Sequence, residues 1–122
     1  MIYQITSDNL KLSESMKTLA ENKVSKLEKY FPNTDEDLVI SRVVLNKGSE
    51  EDTFVSKVEL EVAGKLYYGD ETDYSMESAV IGAVEAIERQ VEKERGKQER
   101  DWEKRREMKV TSSEEEEMAA EK

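Results

Sequence analysis

Apolar residues recur along this chain with two periods, and the switches between them predict its elements. Ile2-Tyr3-Gln4-Ile5-Thr6 reads as a short strand, closed by the turn-formers Ser7-Asp8-Asn9. From Met16 the period lengthens. Met16, Leu19, Ala20, Val24, Leu27 and Tyr30 fall on one stripe of a helix. Ser13 is its N-cap, with Met16 standing where a full capping box has an acid or amide. Phe31 continues the stripe and Pro32-Asn33 ends the helix.

Residues 38–45 are rich in β-branched side chains and predict a second strand; residues 47–52 are a polar turn. Residues 54–62 alternate. Phe54, Ser56, Val58, Leu60 and Val62 share one face, and Val55, Lys57, Glu59 and Glu61 share the other. Ala63-Gly64-Lys65 is a tight hairpin turn, and residues 66–70 form a fourth strand in which Tyr67 and Tyr68 point to opposite faces. Ser75 caps a second helix with the stripe Met76, Ala79, Val80, Ala83, Val84, Ile87 and Val91. The order β-α-β-β-β-α predicts an α+β fold. A right-handed crossover leads into a meander, and both helices lie on one face of a four-stranded sheet.

The chain has 122 residues, 36% hydrophobic and 39% charged, which suits one modest core with a polar remainder. Composition shifts near Gly96. Residues 1–97 are expected to be the domain and residues 98–122 a helical extension followed by a flexible acidic tail. No apolar run approaches membrane-span length, and the start lacks a basic n-region and an apolar h-region. A cytoplasmic location is the expectation.

Cysteine and histidine are absent, which excludes disulfides, thiolate nucleophiles and the commonest general base and metal ligand. The five glycines are scattered and form no phosphate loop. Asp70, Glu71 and Asp73 are the best acid cluster, but acids just before a helix are placed there by its dipole alone. No catalytic residue, metal, cofactor or small-molecule substrate is expected, and the protein is not expected to be an enzyme. Trp102 lies outside the expected core, where it docks back on the domain or meets a partner.

The net charge of -10 is unevenly spread. Residues 10–30 hold five lysines against three acids, and residues 89–109 hold nine basic residues against six acids. Residues 31–75 hold four basic residues against eleven acids. Screening over about 8 Å at physiological salt lets a basic helix face bind phosphate on an acidic protein. The plainer reading is a solvated helix face with Glu–Lys pairs. Lys23 falls inside the apolar stripe of its helix, where it must snorkel or find a partner.

The element order carries two stretches with a family likeness. One is Ile5-Thr6-Ser7 with Leu10-Lys11-Leu12-Ser13, running through Lys26-Leu27-Glu28-Lys29-Tyr30-Phe31. The other is Ala79-Val80 through Ile87-Glu88-Arg89-Gln90-Val91-Glu92-Lys93. Over residues 1–97 the chain resembles the ribosome hibernation-promoting factor family, also called ribosome-associated inhibitor A, protein Y or sigma-54 modulation proteins. It resembles the short forms, which have no second, dimer-forming domain.

The resemblance implies a fold similar to a double-stranded-RNA-binding domain. It implies binding to the small ribosomal subunit and its rRNA, and occlusion of the decoding region in stressed or stationary cells. The family's basic positions correspond to Lys17, Lys23, Lys26, Lys29, Arg89, Lys93 and Lys97 as RNA-binding residues, acting on phosphates with little base reading. The competing expectation is a protein-interaction regulator, of the transcription-factor-modulation kind, that uses the acidic sheet face or tail. The sequence leaves the oligomeric state open, since an exposed sheet edge offers a route to pairing.

Overall fold

A computed structural model describes the backbone of residues 1–111 and the side chains of residues 1–96. Strand β1 is Ile2–Thr6, helix α1 is Glu14–Val24, β2 is Val39–Lys47, β3 is Phe54–Val62, β4 is Lys65–Asp73 and α2 is Met76–Thr111. Two 3-10 segments, Ser25–Tyr30 and Glu36–Leu38, lie between α1 and β2. The chain divides into two units, Met1–Gln90 and Val91–Lys122.

The sheet order is β1-β2-β3-β4. β1 pairs with β2 in parallel, and the other two pairings are antiparallel, so the crossover-then-meander topology holds. Burial alternates along the strands. Ser41, Val43 and Leu45 are buried beside Ser56, Val58 and Leu60, and beside Tyr67 and Gly69. Ala20, Val24, Leu27, Ala79, Val80, Ala83 and Ile87 are fully buried and supply the helical half of this core. Each large apolar side chain buried there contributes about 1.5–3 kcal/mol. The other sheet face carries Arg42, Lys57, Glu59, Glu61 and an exposed Tyr68, with Tyr67 on the core side.

The hairpin between β3 and β4 turns on Ala63 (φ 50°) and Gly64 (φ 89°), both in the left-handed region that a type I′ turn needs. Gly69 is required by packing. A Cβ there would meet the Ala83 carbonyl oxygen, so α2 lies directly on β4. The free edge of β4 is closed locally by Gln90. Its amide oxygen accepts from the Tyr68 backbone N–H at 3.3 Å, and its amide nitrogen donates to the Tyr68 carbonyl.

Three boundaries differ from expectation. The helical stripe of residues 16–30 holds, but the α-helix gives way to 3-10 geometry at Ser25, whose hydroxyl donates back to the Asn22 carbonyl at 2.8 Å. β2 starts and ends later than residues 38–45 because Asn46 and Lys47 still pair with Val55 and Phe54, while Leu38 sits exposed in a 3-10 turn. β4 runs on to Asp73 because Glu71, Thr72 and Asp73 pair with Ser56, Val55 and Phe54. Helix α2 continues through residues 98–109 to Thr111. The acidic tail lies largely outside the described residues.

Candidate nucleic-acid interface

Ser13 begins α1 as expected, its hydroxyl accepting the Met16 N–H at 3.2 Å. Ser75 begins α2 in the same way, accepting the Ser78 N–H at 3.0 Å. With both helix starts set and both apolar stripes turned to the sheet, the polar flanks of α1 and α2 are fixed.

Those flanks meet through charge. Lys23 Nζ lies 3.4 Å from Glu77 Oε2, and Lys29 Nζ lies 3.6 Å from Glu88 Oε2. The Tyr30 hydroxyl donates to the same Glu88 oxygen at 3.1 Å, and the Lys29 ammonium sits 5.2 Å from the Tyr30 ring centre. Lysine numbers rise with glutamate numbers, so the two helical segments run in the same sense. Glu77 and Glu88 are eleven residues apart, about three helical turns, and therefore share one flank of α2. The partner that Lys23 requires within its stripe is thus Glu77.

The remaining sequence-predicted cations divide. Lys17 lies 3.9 Å from Glu14 within α1, a weak exposed contact. Lys26 and Arg89 are exposed and make no ion pair among the described residues. Arg89 opens onto a shallow depression at the β4 side of α2, lined also by Glu71, Asp73 and Glu85. The structure therefore brings Lys23 and Lys29 against acids of α2, and leaves Arg89 on a different side of that helix. Lys93 is exposed in the second unit, and the Lys97 and Trp102 side chains lie outside the described residues.

Asp70 and Glu71 do not form one acid site. They alternate along β4. Asp70 accepts the Tyr68 hydroxyl at 3.2 Å on the open face, and Glu71 packs against Gly82 of α2. Asp73 accepts the Tyr74 N–H at 2.6 Å. Among the described residues no group of three or more acids is arranged to hold a metal ion.

The open face has its own clamp, which the sequence reading missed. Arg42 donates to Glu59 Oε1 at 3.0 Å and Glu61 Oε1 at 2.8 Å, holding the guanidinium pKa above its ordinary value chiefly through the Glu61 hydrogen bond. The alternation of residues 54–62 and a single arginine on the neighbouring strand were its available signal. Likewise, Asn46 ties the turn after β1, its side-chain oxygen accepting from the Ser7 hydroxyl at 3.1 Å and the Asp8 N–H at 2.8 Å.

These features define a class: a small α+β domain with two helices on one face of a mixed four-stranded sheet, and cations on the exposed sides of the helices. The chain belongs to the sigma 54 modulation protein / S30EA ribosomal protein family, whose model matches residues 3–99. Its fold is similar to that of the protein Y N-terminal domain from Thermus thermophilus. The TM-score is 0.64 at 23% identity, covering 75% of this chain and 96% of that one. It is also similar to a ribosomal subunit interface protein from Coxiella burnetii, with a TM-score of 0.61 at 14% identity, covering 79% of this chain and 99% of that one. No curated protein matches the sequence. No helix among the described residues is long and apolar enough to cross a membrane.

Proposed function

We propose that the chain is a cytoplasmic, non-enzymatic translation inhibitor that binds the small ribosomal subunit and occupies its decoding region. Lys17, Lys23, Lys26, Lys29, Arg89, Lys93 and Lys97 are the RNA-facing cations of this reading. The observation that carries it is the exposure of Lys26 and Arg89, neither in an ion pair among the described residues, on helices of a domain in the S30EA family. An exposed ammonium or guanidinium that is not held in an ion pair is free to neutralise a phosphate and release its condensed counter-ion. The double-stranded regions of rRNA present phosphates and 2′-hydroxyls rather than readable base edges, which suits such contacts.

Inhibition then follows from occupancy: a folded domain held in the decoding region excludes messenger and transfer RNA without any bond being made or broken. Inhibition is therefore stoichiometric with ribosomes and relieved by salt.

Co-sedimentation with isolated small subunits tests the reading. Wild-type protein pellets with subunits at low salt and is released as salt rises. Reversing Lys26, Lys29, Arg89 and Lys93 to Glu abolishes pelleting. Unchanged pelleting of that quadruple variant refutes the surface. Capture of a partner that survives nuclease treatment instead favours a protein-interaction regulator acting through the sheet face or tail.

A further inference from the structure

Glu77 and Glu88 of α2 meet Lys23 of α1 and Lys29 of the 3-10 segment that follows it, and both target cations assigned to RNA. Lys23 is only 25% exposed while Glu77 is 58% exposed. Glu88 is only 21% exposed and is anchored by Tyr30 as well as Lys29. Each glutamate occupies the place beside an ammonium that a phosphate oxygen would take. RNA must either bind elsewhere or displace a carboxylate that then faces the incoming polyanion.

We propose that Glu77 and Glu88 act as built-in competitors of RNA phosphate for Lys23 and Lys29. They hold the affinity of the helix pair for RNA below what its lysines could supply and make binding easy to reverse. This rests on the RNA-binding reading above. The affinity of the resting surface comes from the unpaired cations, such as Lys26 and Arg89, and the paired lysines are a reserve exposed only when the acids are neutralised or pulled aside. The acids also hold their lysines in place, so that a displaced Glu77 or Glu88 leaves an ammonium beside α2.

The test is the double variant Glu77→Gln, Glu88→Gln in the full chain, binding isolated small subunits across a salt series. Both substitutions keep side-chain shape, and the new amide oxygen at position 88 still accepts from the Tyr30 hydroxyl. Exposed ion pairs contribute about 0.2–1 kcal/mol each, so freeing two lysines should tighten binding by about two- to thirty-fold. The dependence of log Kd on log salt should steepen by about one unit per freed lysine. A circular-dichroism melt shows whether the variant is folded.

Equal or weaker binding by a folded double variant overturns the competition. If that variant is unfolded, Glu77→Gln alone, which leaves the Tyr30 anchor untouched, carries the same expectation at about half the effect on the logarithmic scale. Absence of subunit binding by wild-type protein at every salt concentration overturns the RNA reading itself and is distinguishable from failure of the competition.

Discussion

Replacing Gly69 with alanine probes the contact on which the helical surface depends. The new Cβ would run into the Ala83 carbonyl oxygen and lie 3.2 Å from its carbonyl carbon, with the Ala86 Cβ at 3.1 Å. The nearest atoms are backbone, so no rotamer change relieves the clash. To restore ordinary contact α2 must lift by about 1 Å, and a gap of that size forfeits roughly a quarter to a half of each lost dispersion contact. Ala79, Val80 and Ala83, all fully buried, would lose contacts together.

Overpacking of this kind costs about 3 kcal/mol. For a domain of this size that lowers Tm by roughly 12–24 °C. Gly82→Ala is the control. Its Cβ would meet Glu71 Cγ at 2.5 Å and Glu71 Cβ at 3.0 Å; rotation of the exposed Glu71 side chain moves the Cγ away and leaves only a small shift at the Cβ. The gain in helix propensity, about 1 kcal/mol, offsets what strain remains. Urea unfolding followed by circular dichroism should therefore show a large fall in midpoint for Gly69→Ala and little change for Gly82→Ala. Equal midpoints for the two variants refute the claim that α2 rests on β4 through backbone.

Two further outcomes follow from the ends and edges of the fold. Ser13→Ala removes the acceptor for the Met16 N–H and should cost about 1 kcal/mol in urea unfolding, with Ser13→Asn retaining most of the stability; an alanine variant as stable as wild type would show that the cap contributes nothing. The Tyr3 phenol is raised above its ordinary pKa by burial, then by Glu28 and Glu21, against a smaller opposing interaction with the Ser25 side chain. A raised folded-state pKa means that the folded chain holds this proton more tightly than the unfolded one. The associated stability is complete below about pH 10 and is lost as pH climbs through the raised value. Tm should fall at alkaline pH, and less steeply in Tyr3→Phe; superimposable profiles would remove Tyr3 from the cause.

Elements whose burial follows one period were legible in the sequence. Residues 54–62 alternate without interruption, and β3 begins and ends where that alternation does. The end of β4 was not legible, because Glu71-Thr72-Asp73 has no apolar alternation and is held in the sheet by pairing with β3. Nor was the change of helix type at Ser25, since an apolar stripe over one or two turns fits α and 3-10 geometry alike. The seven cations were legible as residue types on helix flanks. Their availability was not, because Lys23–Glu77 and Lys29–Glu88 depend on how two helices are placed side by side. The fold similarity to protein Y supports the architecture, and family membership supports the ribosomal direction of the reading.

A structure of the chain bound to the small ribosomal subunit tests the central claim most directly. Lys26 and Arg89 should lie within hydrogen-bonding distance of rRNA phosphates in the decoding region, with the Arg42 clamp turned away from RNA. Density that places the open sheet face against RNA, or leaves Lys26 and Arg89 in solvent, would contradict it.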